Sequence, residues 1–260
     1  MKQYLIKNSG YAVRYQALPG VEPPLVFLHG LGCASSFEYC AVMAQPALLG
    51  RRALLIDLLG AGYSDQPRDF GYTVEEHAAY LNDMLRSLDL QQIVLFGHSL
   101  GGAVAICLAG LLQERLFSLI LTESNLDPSH GRAVSHKIGT QSSEVFLSHG
   151  YTDLLTLAQK RNPLWGAALA HWLPQAVWRI SRSAIQGGSP SWREQLYDLA
   201  KPKAYLFGER TLPSTDVDAL REHGVRVEII PNAGHSMALE NPAALASTIA
   251  AIIHDCPGAR

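Results

Sequence analysis

The sequence predicts an α/β fold in which helices cover both faces of a mostly parallel sheet. Along most of its 260 residues, short apolar runs alternate with segments whose apolar residues recur at helical spacing. The apolar runs are hydrophobic throughout rather than at every second position, which is typical of parallel strands buried on both faces. With 48% hydrophobic residues, the chain can bury the core of one large domain or of two small ones.

Apolar runs bounded by glycine, proline or polar residues predict the strands. Two strands flank a turn at residues 8–10, and a third, PPLVFLHG, ends at Gly30. Further strands are predicted at 53–57, 91–97, 116–123, 203–209 and 225–230.

Helical spacing and capping signals predict the helices between these strands. Thr73 followed by Glu75 and Glu76 is typical of a helix start, and so is Asn241 followed by Pro242. The predicted helices cover 33–49, 73–90, 99–113, 214–224 and 241–255.

Residues 124–190 interrupt the alternation, because no strand is predicted there. This segment is far longer than the usual connection between two elements. We therefore expect a helical lid at 124–190 on a core built from residues 1–123 and 191–260; a plain helical connection is the alternative.

Three tryptophans of this segment, Trp165, Trp172 and Trp178, are expected to line or brace an apolar cavity. The leucines expected to join them are Leu164, Leu169 and Leu173. Such a cavity would favour a small apolar or acyl-chain substrate, although the same residues could merely pack the lid onto the core.

Composition and charge argue against several classes of function. With 21 basic and 23 acidic residues and no basic stripe, the sequence predicts no nucleic-acid partner. It contains neither a membrane span nor a secretion signal, which favours a cytoplasmic location. The four cysteines, at 33, 40, 107 and 256, form no C-x-x-C pair and are expected to be reduced thiols. No motif suggests a metal or a cofactor, and nothing predicts the oligomeric state.

One serine stands among glycines at a predicted strand-to-helix junction, in the segment Gly97-His98-Ser99-Leu100-Gly101. A tight turn at this junction lifts the serine above the sheet in a strained conformation, and glycines leave room for it. The helix that follows directs amide N–H groups and its positive end toward the same place. We interpret Ser99 as a candidate nucleophile.

In four segments the sequence resembles the α/β-hydrolase superfamily, in its serine-nucleophile, esterase-like branch. The segments are VFLHGLG (26–32), LIDLLGAGYSD (55–65), GHSLGG (97–102) and NAGHSMALENP (232–242). The resemblance covers nearly all of the chain outside 124–190. It implies an eight-stranded, mostly parallel sheet and a Ser–His–acid triad.

By this resemblance, His235 is the base, because the family places its catalytic histidine between the last strand and the last helix. The resemblance also assigns the oxyanion hole to the backbone N–H groups of Leu31 and Leu100. It gives His29 a structural place beside the oxyanion loop. His98, inside the elbow, is expected to point away from the site.

The acid of the triad is the uncertain member. Most of the family carries an aspartate after the seventh strand, where this chain has Thr211. We predict that Glu123, at the end of the sixth strand, takes the role. Asp127 and Asp216 are the alternatives, and Glu209 is too close to the strand body.

These residues predict a carboxylic ester hydrolase that acts on a small ester or acyl compound through a serine acyl-enzyme. Thioesters, lactones, amides and the carbon–carbon bonds of dienoic ring-cleavage products are substrates of related reactions and remain open. A small-molecule sensor with slow or no turnover is the alternative from another class, because the usual aspartate is missing.

Overall fold

The computed structural model describes residues 1–257 as one mixed eight-stranded sheet flanked by helices. Its strand order is β1-β2-β4-β3-β5-β6-β7-β8, with β1 and β2 antiparallel to their neighbours and the rest parallel. The fold class and the eight-stranded sheet implied by the resemblance are confirmed. The strands are β1 Lys2–Leu5, β2 Ala12–Leu18, β3 Val21–Leu28, β4 Arg51–Ile56, β5 Ile93–His98, β6 Leu116–Thr122, β7 Lys203–Gly208 and β8 Arg226–Ile230.

Thirteen α-helices are assigned in the described residues, six of them between β6 and β7. A five-residue π-helical turn at Phe146–Gly150 joins two of these six. The helices are α1 Ser35–Glu38, α2 Cys40–Met43, α3 Val74–Ser87, α4 Leu100–Leu112, α5 Val134–Gly139, α6 Ser143–Val145, α7 Tyr151–Arg161, α8 Pro163–Leu169, α9 Pro174–Gln186, α10 Trp192–Asp198, α11 Asp216–Glu222, α12 Met237–Glu240 and α13 Pro242–Asp255.

Local sequence signals explain where two of the long helices begin. At α3, the Thr73 hydroxyl accepts the N–H of Glu76 at 3.1 Å, and the Glu76 carboxylate accepts the N–H of Thr73 at 2.9 Å. This reciprocal capping satisfies two N–H groups that the helix itself cannot. At α13, the Asn241 side chain accepts the N–H of Ala244 at 3.1 Å. Both predicted helix starts are confirmed.

The helix predicted at 33–49 is instead two short helices. They meet at Tyr39, whose φ of −100° and ψ of 0° close α1 before α2 begins. The first turn of α1 is fixed to the sheet, because Asp57 accepts the N–H of Ser36 at 2.9 Å and its hydroxyl at 2.7 Å. These bonds set the direction of α1 independently of the helix that follows.

The core consists of two apolar layers, one on each face of the sheet. Successive residues of β3 alternate between them: Leu25 and Phe27 face one layer, Val26 and Leu28 the other, and all four are fully buried. Helices α3 and α4 pack on the Val26 side, and α2, α12 and α13 pack on the opposite side. Burial on both faces explains why the inner stretches of these strands, such as residues 25–28 of β3 and 53–56 of β4, are apolar throughout.

The helical segment between β6 and β7 contains no strand, as predicted. It is fixed to the rest of the chain by polar contacts, among them Leu173 N–H to the Gly60 carbonyl at 2.9 Å and Val74 N–H to the Ser183 hydroxyl at 3.0 Å. We call residues 124–190 the helical insertion. Its action as a lid stays a prediction.

Three further expectations concern membranes, metals and cysteines. In residues 1–257, no helix has both the length and the apolar character needed to cross a bilayer. The same residues contain no cluster of three or more His, Cys, Asp or Glu side chains suited to a metal ion. All four cysteines are free thiols.

One buried carboxyl group destabilises the fold at neutral pH. Glu38 is 2% exposed and its Oε2 has no hydrogen-bond partner in the described part of the chain. Burial raises the pKa of Glu38 to about 7, against a smaller opposing effect of the Cys33 thiol. The unfolded chain ionises this group near its ordinary pKa, so the folded state becomes less favourable as pH rises from about 4.5 to about 7.

We therefore expect Glu38→Gln to stabilise the protein by about 3 kcal/mol at pH 8 and by almost nothing at pH 4. Urea unfolding at both pH values measures the difference. Glu144→Gln, at an exposed glutamate, is the control and is expected to change neither value. Equal effects of Glu38→Gln at both pH values would contradict the ionisation argument.

Candidate active site

Ser99 lies at the junction of β5 and α4 in a backbone conformation that non-glycine residues rarely adopt. Its φ is 50° and its ψ is −124°. The turn is held by the Ser99 N–H, which donates to the Thr122 carbonyl at 2.9 Å, and by the Ser99 carbonyl, which accepts the N–H of Gly102 at 2.9 Å. Such strain is kept only where the surrounding structure fixes it.

The glycines of the elbow are required by close backbone approach. A Cβ at Gly101 would lie 2.1 Å from the His29 carbonyl oxygen, and one at Gly97 would lie 2.6 Å from the Ala105 Cβ. Neither position accepts a larger side chain without displacing backbone or a helix. The glycine pattern is thus a packing requirement that brings α4 close to β3 and β5.

A cavity of about 740 Å³ opens above the elbow. All five residues predicted for the site line it: Ser99, His235, Glu123, Leu31 and Leu100. They come from four separate stretches of sequence, at the carboxyl ends of β3, β5 and β6 and in the loop after β8. The parallel strands bring these stretches to one edge of the sheet.

Two of these residues face each other across this edge. His235 Nδ1 lies 4.0 Å from Glu123 Oε2, a separation longer than a hydrogen bond. Hydrogen bonds of this kind are often long until substrate binds. Desolvation by the surrounding protein lowers the pKa of His235, and the negative charges of Glu123 and Glu240 oppose that shift. With its pKa below the ordinary 6.5, the imidazole is neutral at pH 7 and able to accept a proton.

The Glu123 carboxylate is oriented by the last residue of β7 and by the turn that follows it. Its Oε1 accepts the N–H of Gly208 at 2.8 Å and the hydroxyl of Thr211 at 2.7 Å. These two bonds leave Oε2 directed at His235, and the side chain is only 12% exposed. Thr211, which stands where the family's aspartate was expected, is therefore a hydrogen-bond donor to a carboxylate from the neighbouring strand.

The alternative acids are engaged elsewhere. Asp127 accepts from Arg193 Nε at 3.0 Å, and Asp216 accepts from Arg193 Nη2 at 2.9 Å. Glu209 accepts the N–H of Asn232 at 2.8 Å. In the described residues, Glu123 is the carboxylate that lies within 4.0 Å of a His235 ring nitrogen.

We call residues 30–33, which follow β3, the oxyanion loop, after the role that the sequence predicts for Leu31. The Gly30 carbonyl accepts the N–H of Cys33 at 3.2 Å and bonds to Nδ1 of His29 at 2.9 Å. Since the C=O and N–H of a trans peptide point in opposite directions, the N–H of Leu31 is turned away from these partners. Leu31 lines the cavity.

The orientation of this peptide depends on one tautomer of His29. The N–H of Leu58 donates to His29 Nε2 at 3.0 Å, so Nδ1 carries the proton and donates to Gly30. Burial lowers the pKa of His29, and the negative charge of Asp57 opposes this shift. Because burial has the larger effect, the ring stays neutral. The second predicted donor, Leu100, is the first residue of α4, and the first N–H groups of a helix have no acceptor within it.

Comparison with known proteins agrees with this architecture. A family model described as "alpha/beta hydrolase fold" matches residues 23–146. An N-acyl homoserine lactonase, solved with N-hexanoyl homoserine, superimposes with a TM-score of 0.80 over 99% of this chain and 98% of its own at 20% identity. The chain has the α/β-hydrolase fold.

Other proteins similar to this chain include some named as esterases. An esterase of Mycobacterium tuberculosis is 27% identical over 257 residues, which cover 90% of this chain and 84% of the relative. An esterase structure from Thermogutta terrifontis has a TM-score of 0.77 at 21% identity, over 95% of this chain and 96% of its own. An uncharacterised Mycobacterium tuberculosis protein is 36% identical over 109 residues, which are 41% of this chain and only 30% of that protein's length.

The position of His98 corrects one expectation. Its side chain does not point away from the site: it lines the cavity, with its ring centroid 4.8 Å from that of His235. Nδ1 of His98 contacts the Thr122 hydroxyl at 3.1 Å. Burial, reinforced by His235, lowers the pKa of His98 well below its ordinary value. The site therefore contains a second neutral imidazole. In the sequence, the signal for this residue was that His98 immediately precedes Ser99.

The tryptophans of the helical insertion have different positions. Trp165 lines the cavity, whereas Trp172 and Trp178 do not and instead brace the surrounding structure. Leu164, Leu169 and Leu173 are also absent from the cavity wall. The sequence predicted an apolar cavity, but charged and amide side chains share its wall. They are Asn125, Arg132, Asn162, Asp216 and Glu240.

Proposed function

We propose that this α/β-hydrolase cleaves a carboxylic ester through a covalent acyl-enzyme on Ser99. The observation that carries the proposal is the shared cavity of a strained serine and a histidine whose Nδ1 faces an oriented carboxylate. A serine hydroxyl needs a neighbouring base to become a nucleophile, and that base needs a third group to orient it. Ser99, His235 and Glu123 are assigned these three roles.

In the proposed reaction, the Ser99 hydroxyl attacks the ester carbonyl while His235 removes its proton. Because Nδ1 of His235 faces Glu123, Nε2 is the nitrogen left to take that proton. Glu123 stabilises the resulting imidazolium. The alcohol leaves with a proton from His235, and water then attacks the acyl-enzyme by the reverse route to release the acid.

The negative charge that develops on the carbonyl oxygen is assigned to the amides of Leu31 and Leu100. Fixed backbone donors of this kind are effective because they need no reorganisation as charge appears. The hydrogen bonds of His29 and Cys33 to Gly30 hold the Leu31 amide away from competing partners. Both hydrogen bonds lie within residues 29–33, so they come from the oxyanion loop and from the residue just before it.

The hydrogen bond from Thr211 to Glu123 argues against the alternative function, a small-molecule sensor without turnover. The missing aspartate was the feature that favoured a non-enzymatic role. The Thr211 hydroxyl instead helps to orient the Glu123 carboxylate, at 2.7 Å, so the position after β7 still supports an acid. We therefore favour turnover over sensing.

Reaction with a fluorophosphonate tests the proposal. The reagent phosphorylates activated serines, and we expect one adduct per chain, on the peptide that carries Ser99. Peptide mass spectrometry locates the adduct, and Ser214→Ala, which removes another cavity serine, is expected to label like the wild type. An unlabelled wild type, or an adduct elsewhere, would overturn the assignment. Hydrolysis of p-nitrophenyl esters of increasing chain length then defines the acyl group.

A further inference from the structure

Two tryptophans of the helical insertion donate hydrogen bonds to the oxyanion loop. Trp165 Nε1 donates to the Leu31 carbonyl at 3.0 Å, and Trp172 Nε1 donates to the Cys33 carbonyl at 2.7 Å. The paired residues are more than 130 positions apart in the chain. Neither bond belongs to the regular hydrogen bonding of a helix or strand, so each joins the insertion specifically to this loop.

The ring of Trp165 also occupies the space beside Gly32. Gly32 has a φ of +74°, and a Cβ there would lie 2.5 Å from Trp165 Nε1. The indole therefore packs directly on the backbone of the oxyanion loop. A larger residue at 32 would displace the ring, so the glycine and the tryptophan fit as a pair.

Together, the contacts fix both peptide groups that flank Leu31. His29 and Cys33 hold the carbonyl of the Gly30–Leu31 peptide, and Trp165 holds the carbonyl of the Leu31–Gly32 peptide. With both planes held, φ and ψ of Leu31 have little freedom, and its N–H keeps one direction. Without Trp165, the Leu31 carbonyl keeps only a long contact of 3.8 Å from the Cys33 thiol.

We propose that Trp165 is a positioning residue that assembles the oxyanion hole when helix α8 is seated on the loop. This inference rests on the proposed function, because Leu31 matters only if a carbonyl oxygen becomes charged there. It makes the helical insertion part of the machinery for the reaction rather than a wall of the cavity alone.

Trp165→Phe tests the inference, because it removes the indole N–H and keeps an aromatic ring. The matched control is Trp178→Phe: the Trp178 indole donates to the Gln141 carbonyl at 3.0 Å, a bond with both ends inside the insertion. The readouts are kcat and KM for a p-nitrophenyl ester, and the inhibition constant of a trifluoromethyl ketone. The ketone forms a tetrahedral oxyanion with the serine and so reports the state of the hole.

For Trp165→Phe we expect kcat to fall about 3- to 10-fold, the value of one hydrogen bond, and the inhibition constant of the ketone to rise by a similar factor. KM is expected to change less than twofold, and Trp178→Phe to match the wild type in all three readouts. If Trp165→Phe equals the control, or raises KM alone, the inference is wrong while the proposed function stands. A wild type without turnover or fluorophosphonate labelling overturns the proposed function instead, and the role of Trp165 with it.

Discussion

Replacing Ser99 with alanine is expected to lower kcat/KM for a p-nitrophenyl ester by about 10⁴- to 10⁶-fold. The methyl group cannot form the acyl-enzyme, so both halves of the reaction lose their covalent route. The residual rate should come from binding and from the oxyanion donors, which the substitution leaves in place. Steady-state kinetics with enzyme free of wild-type contamination measures the loss.

Ser99→Ala supports the assignment only if it lowers turnover without lowering the stability of the fold. Alanine also has a Cβ, so the strain at a φ of 50° is retained and not worsened. We expect the urea midpoint to stay near that of the wild type. Ser214→Ala, in the same cavity, is expected to retain full turnover. Retention of more than a hundredth of wild-type kcat/KM by Ser99→Ala would contradict a serine nucleophile.

The sequence was sufficient to predict the sheet and the elbow because both depend on local signals. Strands buried on two faces need apolar residues on both faces, as at residues 93–96 of β5, and this pattern is visible without a structure. The elbow needs glycines at fixed distances from Ser99, because a Cβ at Gly97 or Gly101 would lie too close to neighbouring atoms. These requirements act within a few residues.

The parts of the site that sequence reasoning missed depend on contacts between distant segments. The hydrogen bond from Thr211 to Glu123 could not be predicted from the sequence. It depends on the register of β6 against β7, in which Thr122 pairs with Leu206. Likewise, only the tertiary structure shows that Trp165 lines the cavity whereas Trp172 and Trp178 do not. Helical spacing predicts that such residues are buried but not which partner they meet.

The single helix predicted at 33–49 was wrong for a related reason. Its apolar residues have helical spacing, yet the bonds from Ser36 to Asp57 join the first turn to the loop after β4. A tertiary contact thus overrides the local preference of the segment. The same contact keeps α1 beside the oxyanion loop, where sequence alone had indicated only a helix after a loop.

Glu123→Gln is expected to lower kcat by about 10³- to 10⁴-fold with little change in KM. The amide keeps the size of the side chain but cannot stabilise an imidazolium. Since the charge of Glu123 opposes the lowering of the His235 pKa, its removal should move the acid limb of the kcat/KM profile to lower pH. Asp216→Asn is the control, because Asp216 lines the same cavity but pairs with Arg193. We expect that variant to stay within about threefold of the wild type, as for a surface ion pair.

Thr211 provides the sharper test of Glu123, because the two positions are joined by a 2.7 Å hydrogen bond. Adding Thr211→Asp to Glu123→Gln returns a carboxylate to the strand where the family usually carries it. We expect this double variant to recover at least about tenfold in kcat over Glu123→Gln alone, a gain of about 1.4 kcal/mol in transition-state stabilisation. Thr211→Val, by contrast, removes a hydroxyl that contacts both Glu123 and the Gly208 carbonyl, and should cost kcat about tenfold or less. If Glu123→Gln is as active as Asp216→Asn, neither the acid assignment nor the role given to Thr211 can hold. A large loss without rescue keeps Glu123 as the acid and shows that a carboxylate at 211 cannot reach His235.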